Sequence, residues 1–150
     1  MTSIFNRREA LALGTGLIST VVLGTSEVFA KNDADEAIKK FTGGKTPAEG
    51  KVKLDLPEIA ENGNTVPMTV AVDSPMTEQS HVTDVLVVAN ENPRSGVVTF
   101  HFSPASGVAE ANTRIRLAAT QDVIAVARMN DGSCYMASKQ VKVTIGGCGG

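Results

Sequence analysis

The 150-residue sequence has no Trp, one Tyr and five Phe, so aromatic residues make up only 4% of it. A platform for stacking bases or sugars needs several such rings, and the composition argues against one. A basic excess is also missing. Fourteen Lys and Arg stand against 16 Asp and Glu, a formal charge of −2, whereas nucleic-acid binders carry a basic face. Two His and two Cys are too few for a zinc centre ligated by protein alone unless all four converge. His81 and His101 fall in different predicted strands, with no carboxylate at a recognisable ligand spacing, and read as surface or packing residues. The chain order offers no credible Ser-His-Asp grouping. No catalytic residue, metal or cofactor is therefore assigned. A hydrophobic share of 42% is that of a folded domain, and the length favours one domain.

A long apolar run is lacking as well. The uncharged stretch at residues 10–24 covers 15 positions, short of the roughly 20 that a membrane-spanning helix needs. Arg7 and Arg8 precede it and Val28-Phe29-Ala30 follows. A basic start, a short apolar core and a small residue before the cut describe a secretory signal peptide over residues 1–30. The Arg7-Arg8 pair points to the twin-arginine route, with a Sec signal as the alternative. No Cys follows Ala30, so a lipid anchor is not supported. The mature chain keeps 12 basic and 14 acidic residues, still −2. The expected destination is the periplasm, where paired cysteines commonly oxidise. Cys134 and Cys148 permit one pairing, which the spacing does not settle.

Residues 31–50 read as a helical arm. The helix is predicted over 33–41, with Asp33 as its cap, Glu36 completing a capping box, and Gly43-Gly44 as its stop. From Lys51 the apolar period falls to two. Strands are predicted around Val52–Leu56, Val66–Val72, Val82–Val88, Val98–Phe102, Ile115–Ala119, Val123–Met129 and Val141–Ile145, the last starting near Cys134 across a bulge. Turn clusters such as Glu61-Asn62-Gly63-Asn64 and Asn130-Asp131-Gly132 separate them. Asn62-Gly63 reads as a turn, not a reactive element. Residues 51–145 hold fifteen Val against four Ile and four Leu, an enrichment that favours sheet. The fold class is all-β: an immunoglobulin-like sandwich of about seven strands over 51–145, preceded by a short helix.

The chain ends Gly146-Gly147-Cys148-Gly149-Gly150. Glycine adds no bulk and leaves the backbone free, so residues 146–150 are expected to form a thin, flexible arm reaching roughly 16 Å when extended. No Lys, Arg or His adjoins Cys148 to activate its thiol. At an ordinary pKa only a few per cent would be thiolate at neutral pH. That suits a passive handle on which other proteins do the chemistry. The residues by themselves leave open a two-cysteine redox protein and an exported structural or adhesive module.

The run Leu56-Pro57-Glu58-Ile59-Ala60-Glu61-Asn62-Gly63-Asn64-Thr65-Val66-Pro67, the Gly-Gly-Cys-Gly-Gly ending and the twin-arginine start resemble the SoxY family of sulfur carriers. The resemblance covers nearly the whole mature chain. It implies a non-catalytic periplasmic carrier in thiosulfate oxidation that pairs with a second small β-sandwich subunit, SoxZ. It implies that Cys148 is the attachment point and that Gly146, Gly147, Gly149 and Gly150 form its arm. The implied transient partners are the cytochrome SoxAX, which joins thiosulfate to the thiol; the manganese hydrolase SoxB, which releases sulfate; and the dehydrogenase SoxCD, which oxidises the remaining sulfane sulfur. The family pattern needs only the tail cysteine. Cys134 is a departure, read as a buried structural thiol, with a regulatory disulfide to Cys148 as the alternative.

Overall fold

The computed structural model describes residues 28–147. The signal segment up to residue 27, with Arg7 and Arg8, and the last three positions, Cys148, Gly149 and Gly150, lie outside the described residues. One helix, α1 (Val28–Thr42), precedes nine strands: β1 (Ala48–Glu49), β2 (Val52–Asp55), β3 (Ile59–Asn62), β4 (Val66–Val72), β5 (Val82–Ala89), β6 (Gly96–His101), β7 (Ala109–Ile115), β8 (Gln121–Met129) and β9 (Cys134–Ile145). A six-stranded sheet runs β1-β9-β8-β5-β6, with β3 also on β9; a three-stranded sheet runs β2-β4-β7. The immunoglobulin-like sandwich read from the sequence is present. β1 and β3 both lie parallel to β9, β1 at Tyr135 and Met136 and β3 from Lys142 to Ile145.

The valine periodicity builds the core. Val66 and Val70 of β4 face Val85 and Val87 of β5 and Val123 of β8, all with essentially no exposed surface. β5 is buried at six of its eight positions, in keeping with its near-continuous apolar sequence.

Three expectations need correcting. α1 starts before Asp33, so Asp33 is not its cap; its Oδ2 instead accepts hydrogen bonds from the Ser95 hydroxyl (3.0 Å) and backbone N–H (3.4 Å). This ties the helix to the β5–β6 turn. The fifth strand is Ala109–Ile115, not 115–119. Its inward positions are mostly small, which muted the period in sequence. The apparent alternation of Ile115, Leu117 and Ala119 belongs partly to a loop whose backbone groups are taken by side chains. β9 is continuous from Cys134, without the expected bulge against β8.

Gly43-Gly44 does end the helix: both have positive φ, and Gly44 N–H donates to Lys39 O (2.9 Å). The helix end is also fixed by charge. Arg128 of β8 lies over the Phe41 ring and donates to Phe41 O (3.3 Å). The same guanidinium donates through Nη2 (2.5 Å) and Nε (3.2 Å) to Asp84 Oδ2, while His101 Nδ1 lies 2.5 Å from Asp84 Oδ1. Burial works to raise the Asp84 pKa, but hydrogen bonds from Arg128, His101 and Thr83 and the Arg128 charge outweigh it and hold the carboxyl below its ordinary range.

Replacing Arg128 with Leu leaves the Asp84 carboxylate under-satisfied and removes the ring contact. A loss of about 2 kcal/mol at pH 7 is expected, below that of a wholly buried pair because Arg128 is partly solvated. Because the folded pKa of Asp84 is depressed, its contribution is complete above the unfolded value near 4 and disappears as pH falls through the folded one. Urea unfolding of both proteins at several pH values checks this: their stability gap should narrow below about pH 4.

Candidate functional site

The end of β9 is held by two distant segments. Asn62 of β3 pairs with Ile145. Just beyond, Gly63 N–H donates to Ile145 O (2.8 Å), Leu117 N–H donates to Gly63 O (2.8 Å), and Gly147 N–H donates to Leu117 O (2.9 Å). Residues 62–64, 116–118 and 145–147 thus meet around the backbone of Leu117. Gly63 and Gly147 are buried there.

Glycine is required at these positions by space. A Cβ on Gly63 would lie 2.2 Å from Leu117 O and 2.6 Å from Gly147 N. One on Gly146 would lie 2.1 Å from Ala118 O, and one on Gly147 2.8 Å from Gly63 O. The freedom expected from residue 146 onward is therefore not seen at its first two residues, which are docked on the domain. The Asn62-Gly63-Asn64 turn, closed by Asn64 N–H donating to Asn62 Oδ1 (3.0 Å), is part of that dock. The two sequence stretches singled out above are brought together in space.

The loop that grips the tail is itself gripped. Asn92 Nδ2 donates to Arg116 O, and Asn92 Oδ1 accepts from Ala118 N–H and from Gln121 Nε2, each at 2.9 Å. Buried Gln121 also donates to Ala119 O (3.0 Å) and accepts from Glu91 N–H (2.9 Å). Val143 N–H donates to Thr120 Oγ1 (3.0 Å). Asn92 and Gln121 carried no sequence signal beyond lying in turn-rich stretches. A groove of about 460 Å³ opens beside Gly147.

Cys134 lies at the other end of β9, opposite Arg128, and is buried. Burial, the largest influence, pushes its thiol pKa up against the opposing charges of Lys45 and Arg128. The 12-residue strand separates it from Ile145 by roughly 36 Å at about 3.3 Å per step. His81 and His101 are not brought to the tail: His81 Nδ1 lies 2.9 Å from Thr77 O, and His101 meets Asp84 across the β5–β6 pair. That carboxylate was not visible as a partner in sequence, since it comes from the neighbouring strand. Among the described residues no group of three or more His, Cys, Asp or Glu stands where it could hold a metal, and no helix is long and apolar enough to cross a membrane.

The family model of the sulfur oxidation protein SoxY matches residues 38–148. The chain belongs to the SoxY family. The structure of the sulfur carrier protein SoxY from Chlorobium limicola f thiosulfatophilum is similar over 77% of this chain and 96% of that one, with 31% identity and a TM-score of 0.65. Likeness to superoxide reductases is one of fold alone. The enzyme (neelaredoxin) of Ignicoccus hospitalis shares 17% identity over 63% of this chain and 80% of its own, with a TM-score of 0.57. A putative superoxide reductase of Thermotoga maritima shares 17% over 69% and 89%, at 0.52. No curated protein sequence matches. The SoxY match takes in both the turn at Gly63 and the tail glycines that dock against it.

Gly63→Ala should force the tail from its seat while sparing the sandwich. A loss of about 1–3 kcal/mol is expected, as for other overpacked sites. Hydrogen exchange at the Gly147 amide should quicken by at least tenfold, with strand-type protection kept in β5 and β8. Unchanged exchange at Gly147 would mean that the hydrogen bond to Leu117 does not depend on the bare Gly63 backbone.

Proposed function

We propose that this chain is a periplasmic covalent carrier that holds thiosulfate-derived sulfur on Cys148 and presents it in turn to the Sox enzymes. The observation that carries the reading is the SoxY match, which runs through the sandwich and ends on Cys148. Oxidative loading joins thiosulfate to the thiol as a Cys148–S–S–SO3⁻ group; the thiol proton leaves and two electrons pass to the SoxAX cytochrome. Hydrolysis by SoxB adds water across the terminal sulfur–sulfur bond, leaving a Cys148 persulfide and releasing sulfate. The SoxCD dehydrogenase then oxidises the sulfane sulfur to a Cys148 S-sulfonate, taking three oxygens from water and removing six electrons, and a further hydrolysis releases sulfate and restores the thiol. The chain supplies no catalytic group to these steps. It pairs with a SoxZ-like subunit, and it reaches the periplasm by the signal that contains Arg7 and Arg8.

The domain's geometry supports a handle of this kind. Gly147 is seated by one N–H bond to Leu117 O. Release of that bond frees Gly146 and Gly147 to join Cys148, Gly149 and Gly150 in an arm long and thin enough to enter a partner's pocket. The docked glycines make the resting arm short; an engaged arm is longer.

A two-cysteine redox cycle is disfavoured by distance. A disulfide needs Cα atoms within about 7 Å. Cys148 follows Gly147 by one Cα step of about 3.8 Å, and Gly147 is seated beyond the far end of β9 from Cys134.

In a reconstituted system Cys148→Ser should fold normally and support no thiosulfate oxidation, while Cys134→Ser should keep most of the activity. Intact-protein mass should show sulfur adducts that vanish with Cys148→Ser. A folded but inactive Cys134→Ser variant would count against the single-thiol carrier.

A further inference from the structure

The groove beside Gly147 lies between β6 and β7, the edge strands of the two sheets. Arg94 comes from the turn before β6, Arg114 from the end of β7, and Arg116 from the loop that seats Gly147. All three are exposed, and none makes an ion pair with a described residue. No Asp or Glu lines the groove. Arg114 Nη1 has only a long contact of 3.5 Å with Thr65 Oγ1. Three guanidinium groups around one groove repel one another and concentrate positive potential there. Their planar donor forks match the oxygens of a sulfonate or sulfate.

Gly147 lines this groove together with the three arginines. The Cys148 Cα is one step of about 3.8 Å further on. A group carried on Cys148 adds sulfur–sulfur bonds of about 2 Å each beyond the side chain. The anionic end of a loaded handle therefore falls within reach of arginines on the groove walls. We propose that the groove is an oxyanion site that receives the terminal sulfonate of the group carried on Cys148 while the tail lies against its own domain. This inference rests on the carrier reading above and adds where the loaded group is kept. Once sulfate has been removed, the persulfide presents no oxygens, so the groove tells a sulfonate-bearing state from the persulfide that follows it.

The test needs no Sox enzyme. The full mature chain is labelled with 2-sulfonatoethyl methanethiosulfonate, in which the Cys148 thiolate displaces methanesulfinate and forms a disulfide ending in a sulfonate. The trimethylammonium analogue serves as the cationic control. Arginine Nε–H resonances are compared in loaded and unloaded wild-type protein. Shifts at Arg94, Arg114 or Arg116 with the sulfonate label, and not with the ammonium label, are expected. The ratio of sulfonate to ammonium labelling rates should also fall about tenfold at low ionic strength in Arg94→Gln/Arg116→Gln, which alters only residues outside the strands. Unmoved arginine signals, or a ratio within twofold of wild type, would overturn the site. Enzymatic conjugation of thiosulfate to wild-type Cys148 is scored separately. Its failure alongside the expected shifts would overturn the carrier reading and not the groove.

Discussion

Leu117 spends both of its backbone groups on glycines, donating to Gly63 O and accepting from Gly147 N–H. Such an arrangement brings three chain segments closer than any Cβ would permit, and the distances at Gly63, Gly146 and Gly147 show how little room is left. Everything near the tail depends on it. The loop of Leu117 keeps its shape because Asn92 of the β5–β6 turn and Gln121 at the start of β8 satisfy its flanking backbone groups. That loop in turn fixes the course of the chain after β9 and one wall of the arginine groove. Among the described glycines, Gly43 and Gly44 at the helix end serve backbone conformation, whereas Gly63, Gly146 and Gly147 serve close approach.

A second constraint is electrostatic. Asp84 occupies a nearly buried position in the middle strand region, where an unpaired carboxylate would be costly. Arg128 from β8 and His101 from β6 meet its two oxygens, so the three strands agree on register around one charge. Arg128 also faces Phe41, which couples that register to the end of α1. The helix is thus joined to the strands and their turns at two points, by Asp33 with Ser95 and by Phe41 with Arg128.

The strands with large alternating side chains could be read directly: β4, β5 and β8 appear where valine sets a period of two. The short β1 and β3 could not, because their place is determined by parallel pairing with β9 over 70 residues away and not by their own pattern. β7 was displaced in the reading because its inward residues are mostly small, while Leu117 just beyond it is large and buried in a loop. At the site, the glycines and the tail cysteine were legible as a motif. What could not be read was that the Gly63 turn and the tail touch, since hydrogen bonds among backbone atoms leave no residue-type signature. The arginines of the groove were equally silent. Arg94 lies 20 positions from Arg114 in the chain, and only the facing of two sheet edges unites them.

The placement of β9 has a mechanical consequence. It carries the tail at its end and is bonded to β8 along one side and to β1 and β3 along the other. A pull on the chain terminus acts along the strand axis, so the ladder bonds are loaded together in shear and share the force. The seat at Gly147, by contrast, hangs on one hydrogen bond and is loaded alone. Tension applied from outside would peel the two glycines first and stop at Ile145. Under such a load the strand that anchors the two glycines stays where it is.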